Sequence, residues 1–319
     1  MELASFSIPF PFWNWLHSVG LTWIPEALTI HTYALCIMLG ILLAGVITAR
    51  RLNRRGVESG YVVDISVWAV LLGIVGARVF HVVTHPGDYF GEGRDPWAIV
   101  RIWDGGIAIF GAIIAGAIGI YIASRMIGLR FSAFADALAP GLLVAQAFGR
   151  LGNWFNQELY GTPTTLPWGL EIDATNAAYP VGLPEGILFH PTFLYEFVWN
   201  ILGAIVLIMI DKKSPQQWGK LIGGYLIWYG AGRAVWETIR LDPSESFFGI
   251  RTNVWMAIFA IILGVLIILV QRARHAGLEP SPWLPGHEGG PDAGVESEER
   301  YTEREESDDP VSSTQSVTP

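Results

Sequence analysis

Seven stretches of about 20 mostly apolar residues run through this chain, and no other feature narrows its fold as far. A hydrocarbon core about 30 Å thick takes ~20 helical residues to cross. Inside it every backbone N–H and C=O must find a partner within the protein, which leaves only helices and closed barrels. The stretches fall at roughly residues 31–49, 61–83, 105–124, 133–155, 192–210, 219–239 and 253–270, a length that suits helices rather than strands. The expected fold class is an all-α membrane protein: a polytopic bundle of seven transmembrane helices with an outer-face arm or head segment and a disordered C-terminal tail. Charged residues make up only 15% of the chain, against ~25% in soluble domains, which excludes an ordinary soluble enzyme.

Charge then divides the chain. Residues 276–319 carry 11 Asp and Glu against 2 Arg, which accounts for the whole net charge of −9. With almost no large aliphatic residues, this acidic segment cannot offset the entropy of ordering itself, and it is expected to be a disordered cytoplasmic tail. Residues 1–30 contain no Lys or Arg and are broken by Pro9, Pro11 and Pro25, so they do not read as a secretory signal. Their Trp13, Trp15 and Trp23 suit an interfacial aromatic segment on the outer face. Residues 31–275 are then the seven-span membrane domain. Its loops on one side hold 11 Lys and Arg and those on the other hold Arg94, Arg101, Arg240 and Arg251. The positive-inside bias places the N-terminus outside, the C-terminus in the cytoplasm, and the large loop 156–191, free of Lys and Arg, on the outer face. The single cysteine, Cys36, lies in an apolar run, which excludes a disulfide framework and disfavours thiol catalysis by the protein itself.

Ionisable residues inside spans are costly and face a partner or a cavity. Here they include Arg78 and His81 in the second span, Asp136 and Arg150 in the fourth, Glu196 opening the fifth, and Arg233 with Glu237 in the sixth. Asp64 and Asp136 lie near cytoplasmic helix ends and read as structural, and His85 reads as a loop histidine. Arg233 and Glu237 are i,i+4 neighbours sharing a face with Tyr229. They form either an internal ion pair or a working site. The densest polar cluster runs from Gly149 to Gly161. On a continuing helix Arg150, Asn153 and Gln157 share one face and offer a guanidinium fork with two amides, the groups a phosphate requires. Arginines at outer-leaflet depth below a Trp-rich interface point to an anionic lipid headgroup. The small-residue ridge Gly111, Ala115, Gly119, Ala123 and the glycines beside Arg78 are read as helix packing. No P-loop, His-Glu-x-x-His or Gly-x-Ser-x-Gly motif occurs, no metal or cofactor is expected, and no basic stripe suggests nucleic acid.

The run Gly149-Arg150-x-Gly152-Asn153-x-x-Asn156-x-Glu158-x-x-Gly161 resembles the signature of the bacterial prolipoprotein diacylglyceryl transferases. Blocks in the same order support it: His31-x-Tyr33, Gly76-x-Arg78, Arg101-x-Trp103-Asp104-Gly105-Gly106, His190-Pro191-x-x-x-Tyr195-Glu196 and Tyr229-Gly230-x-x-Arg233-x-x-x-Glu237. The resemblance implies a monomeric enzyme of the bacterial cell membrane that transfers the diacylglyceryl group of phosphatidylglycerol to the lipobox cysteine of a prolipoprotein signal peptide, with its active site towards the outer face. It implies catalytic roles for Arg150, Arg233, Tyr33, His31 and Glu237. It further implies lipid contacts from Arg150, Asn153, Asn156, Glu158, Arg78 and Arg233. Many members carry a histidine proposed as the base where this chain has Phe110, which shifts attention to His31 and His190. The competing classes are a secondary transporter, for which no internal repeat is visible, and a non-catalytic lipid-binding scaffold, which leaves the pairing of Arg150 with Arg233 unexplained.

Overall fold

The computed structural model describes residues 5–9, 27–91, 93–176, 178–242, 244–287 and 289–290, with side chains from His31 onward. Seven α-helices build it: α1 (Thr32–Asn53), α2 (Gly60–Thr84), α3 (Ile109–Met126), α4 (Phe131–Asn156), α5 (Thr192–Lys213), α6 (Lys220–Glu237) and α7 (Thr252–Arg274). Each matches one apolar stretch to within about four residues at either end. Six of them are long and apolar enough to cross a bilayer. The exception, α6, has 18 residues but carries Lys220, Arg233 and Glu237. The chain is therefore a mostly helical, multi-pass membrane protein.

The helices are not its only elements. Three antiparallel hairpins pair β1 (Ser5–Pro9) with β2 (Ala27–His31), β3 (Leu170–Glu171) with β4 (Leu188–Phe189), and β5 (Ser246–Phe247) with β6 (Ile250–Arg251). Trp13, Trp15 and Trp23 lie outside the described residues, as does the tail from residue 291.

The chain forms two compact units, Met1–Leu52 with Ser132–Glu279 and Asn53–Phe131 with Pro280–Pro319. In the first, α4 is the central helix: 56% of its apolar stretch is buried, against 11% for α7. It carries Pro140 in its interior, tolerable in a membrane helix when neighbours satisfy the freed carbonyl. Neighbours approach through small residues. A Cβ on Gly40 of α1 meets Ala145 O at 2.9 Å, and one on Gly141 of α4 meets Ala44 O at 2.9 Å. Between α5 and α6 the clasp is reciprocal. Trp199 donates to Trp228 O at 3.1 Å and Trp228 to Trp199 O at 3.0 Å, with the indoles stacked 4.6 Å apart. Trp228 lies on Gly203 and Trp199 on Gly232, so neither glycine can take a side chain without parting the helices. In the second unit the same logic joins α2 and α3, where Gly76 and Gly111 meet backbone to backbone. This is the ridge read as packing.

Asp136 of α4 has a structural task. Its Oδ2 accepts from Gly219 N at 2.7 Å, and its Oδ1 accepts from Leu221 N at 2.9 Å and Ile222 N at 3.0 Å. It thereby caps the first turn of α6, where free N–H groups and the helix dipole favour a negative charge. Gly219, at φ +88°, supplies the left-handed entry. Arg51 on α1 donates to Asp136 O at 3.3 Å and pairs with Asp211 of α5 at 3.0 Å. Asp136→Ala orphans three N–H groups, and thermal melting in micelles is expected to show a loss of about 3 kcal/mol or more.

Of the segment expected to be disordered, residues 276–287 are described, and Glu279 and Trp283 among them are buried in defined contacts. Within the first unit Glu279 is 6% exposed, its N–H donates to Gln217 and its Oε1 accepts from Ser132 Oγ at 3.1 Å. Within the second, Trp283 is 5% exposed and stands edge-on to Tyr61 at 5.8 Å. Arg130 N donates to Pro282 O at 2.8 Å and Arg130 Nε to Trp283 O at 2.9 Å. Composition concealed this because the few apolar residues of the segment sit in an acidic sequence. Trp283→Ala is expected to cost about 3–5 kcal/mol, whereas truncation after Gly290 leaves the melting temperature unchanged.

Candidate functional site

The site grows from the C-terminal turns of α4 and α6, where α5 and α7 begin. Arg150, on the last turns of α4, places Nε 2.8 Å from Glu196 Oε2 in the second turn of α5. Its side chain is 19% exposed and that of Glu196 is 7% exposed. No described residue takes the two Nη groups of Arg150. On α6, Arg233 Nη2 lies 3.0 Å from Glu237 Oε2. Arg233 Nη1 is buried with no hydrogen-bond partner. Arg150, Arg240 and Glu237 all act electrostatically on Arg233, so the two arginines singled out by the sequence share one field.

Glu237 is fully buried and is the hub of this field. Besides Arg233 it faces Arg251 Nε at 2.9 Å, Arg240 Nη1 at 3.9 Å and Asn253 Nδ2 at 2.8 Å. Arg240 in turn lies 2.6 Å from Asp242. Burial works against its charge, but the Asp242 hydrogen bond and the neighbouring carboxylates outweigh that and hold the guanidinium above its ordinary value. Four arginines (Arg150, Arg233, Arg240, Arg251) thus meet three carboxylates (Glu196, Glu237, Asp242).

Tyr33, near the start of α1, lies on Gly152, where a Cβ would come within 2.5 Å of the ring. Gly152 thus admits an aromatic ring two residues from Arg150. Asn153 is buried, and its carbonyl accepts from Glu158 N at 3.1 Å. Asn156 donates to Glu158 Oε1 at 3.1 Å. His31 is exposed at the end of β2. His190 is half-buried, with Nδ1 3.2 Å from Tyr195 OH. Gln157 departs from the sequence reading: α4 stops at Asn156, and Gln157 turns left-handed at φ 51°. Its Oε1 accepts from Asp173 N at 3.0 Å and holds the following loop instead of sharing the Arg150 face. That loop packs on its own small core of Tyr160, Ile172 and Phe189. Burial pushes the Tyr160 phenol up, and its hydroxyl donates to Ala178 O.

Arg78 belongs to the second unit. All five of its N–H groups donate to backbone carbonyls: Nε to Ile99 at 2.8 Å, Nη1 to Gly105 at 2.5 Å and Gly106 at 2.7 Å, Nη2 to Ala98 at 2.5 Å and Arg101 at 3.2 Å. The loop wraps it so closely that a Cβ on Gly106 would sit 2.6 Å from Nη1, and both Gly105 and Gly106 take positive φ. Arg101 clamps the same loop to Asp95 at 2.7 Å and Asp104 at 2.8 Å. The Arg101 hydrogen bond foremost holds the Asp95 carboxyl below its usual range. The clamp is therefore complete above that range and is lost as pH falls through the lowered value. Among the described residues, no group of three or more His, Cys, Asp or Glu is placed to hold a metal ion.

Sequence reasoning missed Glu196 as the partner of Arg150, and Arg240, Arg251 and Asn253 as partners of Glu237. The signal for these two arginines was their position. Arg101, Arg240 and Arg251 break the charge bias of the loops, and each is bound to a carboxylate.

A family model described as prolipoprotein diacylglyceryl transferase matches residues 21–270. The chain is similar to the phosphatidylglycerol–prolipoprotein diacylglyceryl transferase of Leifsonia xyli subsp. xyli, 55% identical over 305 residues, covering 93% of this chain and 90% of the relative. The protein of the same description from Paenarthrobacter aurescens is 45% identical over 263 residues, 80% of this chain and 83% of its own. Phosphatidylglycerol–prolipoprotein diacylglyceryl transferase 2 of Streptomyces coelicolor is 44% identical over 257 residues, 81% and 80%.

Proposed function

Because the chain belongs to the prolipoprotein diacylglyceryl transferase family, we propose that it moves the diacylglyceryl group of phosphatidylglycerol onto the lipobox cysteine thiol of a prolipoprotein, the first step of lipoprotein maturation. The observation that carries this reading at the level of residues is Arg233 Nη1, buried without a partner in the same field as Arg150. The two guanidinium groups receive the lipid phosphate, Arg150 through its Nη pair and Arg233 through Nη1.

The substrate sulfur is the nucleophile. Its bond to the glyceryl carbon forms as the carbon–oxygen bond to phosphate breaks, and the electron pair leaves with glycerol phosphate. Charge grows on the phosphate oxygens in the transition state, where pre-placed arginines stabilise it most. Glu196 and Glu237 hold the arginines in place. The thiol proton passes to His31, exposed two residues before Tyr33. Tyr33, Asn153, Asn156 and Glu158 shape the headgroup end of the site, and Arg78 acts indirectly by fixing residues 98–106. The protein works as a monomer in a bacterial cell membrane, with α6 as the seventh span. Its N-terminus lies outside, its C-terminus in the cytoplasm and its site faces the outer leaflet.

Incubation of the purified protein with phosphatidylglycerol and a lipobox peptide tests the reading by mass spectrometry. The peptide should gain one diacylglyceryl mass for each glycerol phosphate released. A folded protein that leaves the peptide unmodified contradicts it.

A further inference from the structure

The β5–β6 hairpin is built at a backbone cost. Its two-residue turn, Phe248-Gly249, has φ of 53° and 74°. Hairpin turns with positive φ at both central positions favour Asn, Asp or Gly at the first, and a bulky residue there is strained. Strain of this kind is kept where the side chain serves a purpose. Here the side chain is an aromatic ring 83% exposed, beside Phe247 at 61%, with the rings 4.3 Å apart. No charged residue lies between Ser246 and Ile250.

Position identifies what covers the tip. Ile250–Arg251 runs straight into α7 at Thr252. With 23 residues, α7 is about 35 Å long at 1.5 Å per residue, more than the ~30 Å hydrocarbon core. A helix of that length can carry its first turn into the headgroup layer. Phe248 precedes Thr252 by four residues, so it can rise no more than about 14 Å beyond that turn. Trp255 in the same turn donates its indole N–H to Phe247 O at 3.0 Å, completing a cluster of the ring types that favour the membrane interface.

We propose that Phe247 and Phe248 seat in the headgroup–acyl boundary of the lipid bilayer on the side of the arginine site, and that this seating sets Arg251 against Glu237. Arg251 is the last residue of β6, and its guanidinium joins the tip to the hub. Nη1 donates to Arg240 O at 2.7 Å, Nη2 to Asp242 O at 2.6 Å, and Nε lies 2.9 Å from Glu237. Glu237 in turn holds Arg233. The seating stands independently of the transferase reading, whereas the effect on turnover rests on it.

Insertion depth is read without turnover. In a Cys36→Ser, Phe248→Cys protein labelled with a nitrobenzoxadiazole fluorophore, in vesicles of phosphatidylglycerol and phosphatidylethanolamine, shallow nitroxide lipids should quench and aqueous iodide should not. Free quenching by iodide overturns the proposal. So does shielding that appears only on adding a lipobox peptide, or only at high protein density, because the tip would then dock a peptide or a second copy. Phe248→Asn separates insertion from folding, since Asn suits the turn. Melting in micelles should hold or rise and transfer in micelles should be unchanged, while kcat for transfer in vesicles falls several-fold at saturating phosphatidylglycerol. An unchanged kcat in vesicles overturns the coupling to Arg233.

Discussion

Arg150→Lys lowers kcat/KM for diacylglyceryl transfer by about 100-fold or more while the protein stays folded. The magnitude is that of removing one pre-placed donor from a charge-stabilising site. Lysine keeps the positive charge but lacks the planar fork. Arg150 uses Nε for Glu196 at 2.8 Å and, on the proposed mechanism, offers both Nη groups to the phosphate, and a single ammonium cannot serve two directions at once. A lysine that turns to Glu196 abandons the phosphate, and one that turns to the phosphate leaves Glu196, only 7% exposed, as an unpaired buried carboxylate. Steady-state transfer rates on micellar phosphatidylglycerol, with circular dichroism as the folding control, check the outcome. Near-normal turnover would refute bidentate contact.

Glu237→Ala has the second large effect, and it falls on stability as well as rate. Removing the hub carboxylate leaves Arg233, Arg240 and Arg251 facing one another at a fully buried position. Breaking a buried pair by deleting one partner costs about 3–5 kcal/mol, and here three cations lose their shared anion. Arg251→Met in the same background removes one of them, so the double variant should melt above Glu237→Ala alone. A double-mutant cycle in micelles measures the coupling. Strict additivity of the two losses would show that Arg251 and Glu237 do not interact in the folded protein. Glu237→Gln keeps the volume and an acceptor for Asn253 but loses the charge, and its stability should fall between the wild type and Glu237→Ala.

The legible part of this protein was the part fixed by its solvent. Bilayer thickness and the demand for internal backbone hydrogen bonds made each apolar stretch a helix, and the helix ends followed. Arg150 and Arg233 were legible because buried cations are expensive and therefore rare. Harder to read were contacts between residues far apart in sequence. Glu196 and Arg150 are 46 positions apart, and no periodicity links them. Arg251 reaches Glu237 only because a hairpin turns the chain back on itself. Gln157 was misplaced for a local reason: a helical face was extended one residue past Asn156, where the chain turns left-handed. Arg78 shows a different limit. Sequence marks it as a buried cation in a span but cannot tell a ligand from five backbone carbonyls. Its Asp104-Gly105-Gly106 neighbours form the wrapping of a structural guanidinium.

On the proposed mechanism Arg150 and Arg233 together hold the phosphate of the lipid donor. A structure of the protein with bound phosphatidylglycerol tests it most directly. Phosphate oxygens should lie about 2.7–2.9 Å from an Nη group of Arg150 and from Arg233 Nη1, the spacing of charge-assisted hydrogen bonds. A phosphate bound elsewhere, with Arg233 Nη1 still lacking a partner, would contradict it.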